Sequence, residues 1–373
     1  MQFKIPFANP RRQYQDLREE YLRTLDDVLG RGDLIMRGDL ERFEQRIAEF
    51  VGVKYALGVN SGTDALSLSF EIAGLKPGDE VITAAHTFMA SISSIAHQGA
   101  TPVLIDVGED FNMDPDLIEA AITPRTKAIE PVHLNGRLAD MERIMEIAKH
   151  HDLLVIEDAA QALGASIRLR DGSFRRAGSF GLTGCFSLYP FKMLGCFGDG
   201  GIVTTNDAEI ARKVALYRYN GEDRQTRQFH YHGYTCLLDN VQAAVLNTKL
   251  DHFEQWIQRR REIAERYHSG LCSVQQIKIP RFPDSQRVDV FQNYVIRAER
   301  RDDLKHFLAD SGVETMISWD TPNYMQPVMQ PNSIYLPETE KICKEVLSLP
   351  MFPELRNDEV DHIVDAVRGF YTA

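Results

Sequence analysis

Two polar residues stand just past apolar runs, at positions where they could do chemistry. Leu153-Leu154-Val155-Ile156 closes on Glu157-Asp158-Ala159-Ala160-Gln161. Beyond a second run comes Tyr189-Pro190-Phe191-Lys192, and Gly198-Asp199-Gly200-Gly201 then leads into a third, Gly201-Ile202-Val203-Thr204-Thr205. A carboxylate at a strand end can pair with a protonated pyridine nitrogen, and a lysine amine can form a Schiff base with an aldehyde. These are the two protein groups that pyridoxal phosphate most needs, Asp158 to hold its ring as an electron sink and Lys192 to anchor it covalently.

A phosphate cradle is the next requirement. Asn60-Ser61-Gly62-Thr63-Asp64-Ala65-Leu66 follows an apolar run and opens a helical pattern. Free backbone N–H groups at a helix start, with the helix dipole, bind a phosphate dianion, and Gly62 lets it approach closely. The same residues also serve as a plain N-cap. Ser187, five residues before Lys192, can add a hydroxyl to that phosphate. Phe88, after the run that ends at Thr83-Ala84, can lie against a flat pyridine ring or pack in the core. His86 and His133 sit at similar run ends, either at the mouth of a site or as hydrogen-bonded core histidines.

The elements that must position these groups follow from periodicity. Apolar runs at 55–59, 80–84, 102–106, 127–132, 153–157, 185–189 and 201–205 read as strands, and 63–73, 115–121 and 141–150 as helices between them. Asp114 and Pro115 cap the second helix. Strands buried on both faces and separated by helices predict an α/β fold, a three-layer α/β/α large domain around a mostly parallel sheet. Residues 167–176 read as a surface hairpin turning at Asp171-Gly172, with Arg170, Arg175 and Arg176 solvated or placed to meet a pyrophosphate or carboxylate. A long helix is expected over about 238–268, with Arg259-Arg260-Arg261 on a solvated face. Residues 288–296 then read as a strand, and 302–311, 338–346 and 358–371 as helices. The large cofactor-binding domain is thus expected over 1–249 and a smaller C-terminal α/β domain over 250–373.

Composition agrees with an ordinary enzyme of the cytoplasm. The 373 residues are 43% hydrophobic, enough for a sizeable core, and no apolar run is long enough to span a bilayer. The N-terminus, Met1-Gln2-Phe3-Lys4-Ile5-Pro6, lacks a signal-peptide apolar stretch. A net charge of −12 argues against general binding to nucleic acid or to an anionic membrane. The five cysteines are odd in number, scattered and without metal-ligand spacing, which implies reduced thiols and no metal centre.

Taken together the segments resemble the sugar aminotransferases of the DegT/StrS type, which are fold-type I pyridoxal phosphate enzymes. The resemblance runs over nearly the whole chain and rests on Ser61-Gly62-Thr63, Thr87-Phe88, Pro131-Val132-His133-Leu134, Glu157-Asp158-Ala159-Ala160-Gln161, Phe186-Ser187-Leu188-Tyr189-Pro190-Phe191-Lys192 and Gly198-Asp199-Gly200-Gly201. It implies that Lys192 forms the Schiff base and Asp158 pairs with the pyridine nitrogen. Gln161 approaches the ring hydroxyl, while Thr63, the Asp64 backbone and Ser187 hold the phosphate. Related sugar dehydratases carry histidine in place of the lysine, so Lys192 favours transamination. The implied activity moves an amino group from L-glutamate to a ketosugar, commonly nucleotide-linked, for amino-sugar and surface-glycan (lipopolysaccharide) synthesis. Lys192 is the base and pyridoxamine phosphate the intermediate form of the cofactor. An unactivated keto-sugar acid such as an 8-oxo-octulosonate is the alternative acceptor, and sugar dehydration the alternative chemistry. A homodimer with composite active sites is implied as well.

Several residues depart from the family pattern. Thr235 and Leu237 stand where relatives carry an asparagine and an arginine that reach the neighbouring subunit's phosphate; the Thr235 hydroxyl can still contribute, but Leu237 cannot replace a charge. Glu130 interrupts an apolar strand, so a polar partner or the subunit interface is expected beside it. Asn135 and Arg137 differ from the usual aromatic and glutamine. Gln292, Asn293 and Tyr324 replace histidines near the acceptor, with Trp319-Asp320 alongside.

Overall fold

The structure is a computed structural model, and it describes residues 3–282, 285–329 and 334–372. Seven strands form the main sheet: β1 (Tyr55–Val59), β2 (Glu80–Ala84), β3 (Thr101–Ile105), β4 (Thr126–Glu130), β5 (Leu154–Asp158), β6 (Thr183–Ser187) and β7 (Gly201–Thr205). Their order is β1-β7-β6-β5-β4-β2-β3. Only β7 runs against its neighbours, because it follows β6 through a loop rather than a helical crossover. Successive residues of β2, β4, β5, β6 and β7 serve opposite cores. Ile82, Ile129, Val155, Phe186 and Ile202 pack with Phe43, Ile47, Ile144 and Leu246 on one side. Val81, Ala128, Ile156, Cys185 and Val203 pack with Leu66, Phe70, Ile95 and Val214 on the other. That alternation is the three-layer α/β/α arrangement expected for strands covered on both faces.

A second core lies C-terminal to the first. It joins Ile263, Tyr267 and Leu271 to Ile296, Leu347 and Leu349 and to Val360, Ile363 and Val367, with Ile5 from the N-terminus inserted among them. Its three-stranded antiparallel sheet is Ile277–Lys278, Tyr294–Ala298 and Val346–Leu349. No helix among the described residues is long and apolar enough to cross a membrane.

The structure corrects several sequence expectations. The helix expected over 238–268 is two helices, Asn240–Leu250 and Phe253–Leu271. At the break, Asp251 pairs with Arg46 at 2.6 Å and the His252 ring with Glu20 at 2.9 Å, so both residues turn toward the N-terminal helices. The strand expected over 288–296 is also two pieces. Arg287–Val288 joins the hairpin Ser166–Arg168/Phe174–Arg176, and Tyr294–Ala298 joins the second sheet, with Phe291 between them in left-handed backbone. Residues 115–121 begin as a 3-10 turn; the elements expected at 55–59, 80–84, 141–150 and 201–205 fall as expected, and the remaining strands and helices shift by one or two residues. The hairpin arginines are engaged: Arg170 with Glu146, Arg175 with the Ser179 carbonyl and Arg176 with the Phe50 carbonyl.

The parallel strands all deliver their carboxyl ends to one edge, which is where open α/β sheets bind ligands. Close approach of β7 to the start of helix Gly62–Ile72 shapes that edge. A Cβ at Gly201 would overlap the Ser61 carbonyl and stand 2.9 Å from the Gly62 nitrogen. Gly201→Ala is therefore expected to destabilise the protein by about 1–3 kcal/mol, read as a lower midpoint in denaturant unfolding.

Candidate active site

Asp158 ends β5 and is buried. Its backbone N–H donates to the Pro131 carbonyl and its carbonyl accepts from the His133 N–H, which locks β5 against the segment leaving β4. The Ser91 hydroxyl donates to Oδ2 at 2.8 Å, and the Ala160 N–H donates to Oδ1 at 3.1 Å. Thr87 lies 2.9 Å from Ser91 and donates to it, since the Ser91 proton is committed to the carboxylate. The carboxylate is thus oriented from behind while lining a cavity of about 890 Å3. Ser91 is a residue that sequence reasoning missed; a serine in a helix pattern carries no signal of its partner.

Glu157, one residue earlier, points to the opposite face and is fully buried. Its Oε1 accepts from the N–H groups of Phe180 at 2.6 Å and Gly181 at 2.8 Å, and its Oε2 from Gly178 at 2.9 Å. His133 completes the set at 3.0 Å. The His133 Nδ1 accepts from the Ala139 N–H at 3.2 Å, so Nε2 carries the proton and donates to Glu157. His133 is a hydrogen-bonded core histidine that also touches the cavity wall. His86 is a buried histidine packed between Phe111 and Trp319, and burial pushes its pKa down to about 4.

Lys192 sits in the loop between β6 and β7, which several bonds close. Its N–H donates to Tyr189 O, Leu188 N–H to Gly200 O and Cys196 N–H to Leu188 O. From outside, Gln292 Nε2 donates to Phe191 O at 2.8 Å and Gln242 Oε1 accepts from Phe197 N–H at 2.9 Å. The Lys192 side chain lines the same cavity as Asp158. Burial lowers its ammonium below the ordinary lysine range, and the Asp158 charge opposes that shift.

The phosphate cradle has the right donor set. Ser61 caps helix Gly62–Ile72, its hydroxyl oxygen accepting from Asp64 N–H at 2.9 Å. The Asp64 backbone donor is thus taken by the cap, and the first helical N–H groups, of Gly62 and Thr63, are those left without intrahelical partners. A Cβ on Gly62 would stand 2.8 Å from Ser187 Cβ, so only glycine lets the helix start and the end of β6 meet. Ser61, Gly62, Thr63 and Ser187 all line the cavity. Phe88 is 60% exposed and lines it too, which excludes the core alternative for that ring. Gln161 is on the wall, with its Oε1 accepting from Asn135 N–H at 2.7 Å. A buried carboxylate with an open side, an amine biased to its neutral form and an anion-binding helix start fit pyridoxal phosphate.

Other residues fall elsewhere. Thr235 is exposed, donates to Asn220 Oδ1 at 3.0 Å and does not line this cavity. Tyr324 is buried away from the cavity wall, its hydroxyl bonding Glu340 at 3.0 Å, whereas Gln292, Asn293 and Trp319 do line it. Two departures from the family pattern meet each other, Asn293 Nδ2 standing 3.4 Å from Asn135 Oδ1. Arg260 is a correction: it is buried rather than solvated, lines the cavity, and donates to the carbonyls of Phe291, Gln292 and Met351. Its signal was available, because Phe253, Trp256, Arg260, Ile263 and Tyr267 share one helical stripe. Glu130 is the second correction, being fully buried with neither a polar partner for its carboxyl among the described residues nor any surface.

Two expectations follow. Glu157→Gln keeps the shape but sets an amide against backbone N–H donors, and it should cost about 3 kcal/mol of stability in denaturant unfolding. Because the neutral amine is the nucleophile and the Lys192 ammonium is depressed, capture of pyridoxal phosphate by Lys192 should rise with pH and reach its plateau below the ordinary lysine range. Borohydride trapping followed by peptide mass mapping measures this.

The family model for the DegT/DnrJ/EryC1/StrS aminotransferase family matches residues 15–368. A "pleiotropic regulatory protein" of Geobacillus stearothermophilus is 41% identical, over 98% of each chain. The dTDP-3-amino-3,4,6-trideoxy-alpha-D-glucose transaminase of Streptomyces venezuelae is 40% identical over 98% of this chain and 96% of its own. A UDP-N-acetyl-3-dehydro-alpha-D-glucosamine 3-aminotransferase of Acidithiobacillus ferrooxidans is 39% identical over 98% and 97%. The crystal structure of S. venezuelae DesV with a ketimine intermediate superposes with a TM-score of 0.94 at 40% identity, covering 99% of both chains. That of Bacillus subtilis NtdA with bound pyridoxamine phosphate gives 0.89 at 30% identity, covering 96% of this chain and 82% of the other. With Lys192 and Asp158 facing one cavity beside an anion-binding helix start, the chain belongs to the DegT/DnrJ/EryC1/StrS family and is a fold-type I, pyridoxal phosphate-dependent aminotransferase.

Proposed function

We propose that the protein transfers the amino group of L-glutamate to the 3-keto carbon of a nucleotide-linked sugar, on a route to an amino sugar. The observation that carries this reading is the convergence of Lys192 and Asp158 on a single cavity of about 890 Å3. That size is near the top of the range for small-molecule sites and leaves room for a substrate beside the cofactor. The names of the S. venezuelae and A. ferrooxidans relatives both specify a nucleotide-linked sugar and position 3, which supports the acceptor class.

Bound in this cavity, pyridoxal phosphate supplies an electrophilic aldehyde and a protonated ring that accepts electrons. The Lys192 amine would hold it covalently at the aldehyde and, when free, would take the amino donor's α-proton and return a proton to the acceptor carbon. Asp158, its direction fixed by Ser91 and Ala160, would hold the ring N–H. Gly62, Thr63 and Ser187 would take the phosphate, Phe88 would support the ring and Gln161 would serve the ring hydroxyl. We place the active unit in a homodimer. Thr235 is exposed in the single chain, and Phe88, Tyr189, Phe191 and Tyr234 are large exposed rings, which suits a partner surface completing the site.

The test is an absorption spectrum of the protein with pyridoxal phosphate, before and after L-glutamate, followed by product analysis. Wild type should lose its visible Schiff-base band on adding glutamate and then aminate a dTDP- or UDP-linked 3-ketosugar. Lys192→Ala should show neither band nor turnover. Asp158→Asn should keep cofactor but lose activity about 10²-fold or more. Amination of only an unlinked keto-sugar acid, or ammonia release in place of amine formation, would overturn the reading.

A further inference from the structure

Glu130, the last residue of β4, has no part in the roles above. It is fully buried, and neither carboxyl oxygen has a hydrogen-bond partner among the described residues. Strand register sets where it points. Ile129 pairs with Val155 across β4 and β5, and Asp158 pairs with Cys185 across β5 and β6. The two-residue side-chain period therefore puts Glu130, Asp158 and Cys185 on the same face of three neighbouring strands.

The groups around it carry little to balance a second charge. From β2, Thr83 stands opposite Glu130 and donates its hydroxyl to the Glu130 backbone carbonyl at 3.1 Å. From β6 comes the Cys185 thiol, pushed up by burial and bonded to Ser69 of helix Gly62–Ile72 at 3.2 Å. Helix Met89–His97 contributes Ser91, already committed to Asp158. Lys192 reaches Asp158 from the cavity side. A carboxyl in an apolar layer beside another carboxylate, with only the nearby Thr83 hydroxyl to favour its charge, is held as the neutral acid. Burial, and after it the Asp158 charge, pushes Glu130 well above the ordinary carboxyl range. Glu130 is thus the neutral neighbour of Asp158, whose carboxyl accepts two hydrogen bonds.

We propose that Glu130 is a positioning residue for the ring-nitrogen site, a buried acid coupled through Asp158 to the proton on the cofactor's ring nitrogen. The inference rests on Asp158 being the partner of that nitrogen. A protonated ring offsets the Asp158 charge and eases ionisation of Glu130. By reciprocity an ionised Glu130 strengthens the hold on the ring proton. As pH rises, loss of the Glu130 proton thus opposes loss of the ring proton, and the electron sink persists to higher pH than Asp158 alone would allow.

The test is 15N NMR of the holoenzyme loaded with ring-15N pyridoxal phosphate, titrated for wild type, Glu130→Gln and Asp158→Asn. The Gln variant should lose the protonated-nitrogen signal about one pH unit or more below wild type, while Asp158→Asn loses it already at neutral pH. Glu130→Leu, apolar in an apolar layer, is the second variant and should titrate as Glu130→Gln does. Wild type at neutral pH should also show the infrared carbonyl band of a protonated carboxylic acid, absent from both Glu130 variants. If the Glu130 variants titrate with wild type while Asp158→Asn loses the signal, the coupling is wrong. If Asp158→Asn keeps the signal, the ring-nitrogen reading itself falls, and the inference with it.

Discussion

Two adjacent carboxylates at the end of one strand are the constraint on which this site depends. Strand alternation sends Glu157 and Asp158 to opposite faces of the sheet. Glu157 is satisfied wholly by protein, through three backbone N–H groups from Gly178 to Gly181 and the His133 ring. Among the described residues Asp158 receives only a serine hydroxyl and one N–H, so acceptor capacity remains on the cavity side. A buried carboxylate is costly unless hydrogen-bonded. Glu157 meets that cost by tying β5 to the turn before β6 and to the residues after β4. The end of β5 is thereby held in place by its own charge, and the direction of Asp158 follows.

The rest of the site consists of close approaches to that fixed edge. Gly62 allows the helix start to touch Ser187, and Gly201 allows β7 to pass the Ser61 carbonyl. The Lys192 loop is then pinned from two sides, by Gln242 from the helix beneath it and by Gln292 from the second core. Arg260 extends the same link, holding the carbonyls of Phe291, Gln292 and Met351 from a helix that belongs to both cores. The geometry around the catalytic lysine therefore depends on packing between the two cores as well as on the sheet.

Much of the fold was legible because the signal was local. Alternating burial along β2 to β7 needs only apolar runs between helix patterns, and Gly62 and Phe88 announced themselves by type and place. All of the misses but Arg260 share one physical cause, a partner distant in sequence. The 238–268 pattern hid a break because apolar spacing continues across Asp251 and His252, and what turns the chain is their pairing with Arg46 and Glu20, distant in sequence. Arg260 belongs to a basic triplet, which reads as solvated, yet it lies on the apolar stripe. Ser91 and the Asn135–Asn293 contact had no sequence signal at all, since each is defined by a partner far along the chain.

The sequence by itself determined the chemistry on offer: a lysine for an aldehyde, an aspartate for a pyridinium nitrogen and a glycine-opened helix for a phosphate, in the order of an α/β chain. These follow from residue type and short-range periodicity, which act over a few residues and survive without knowledge of contacts. Tertiary structure alone decided which donors hold Asp158, that Arg260 lies inside and that Glu130 is buried with no charged partner for its carboxyl among the described residues. Each of those is a question of what is packed against a buried charge. Only register and the meeting of distant segments can answer it.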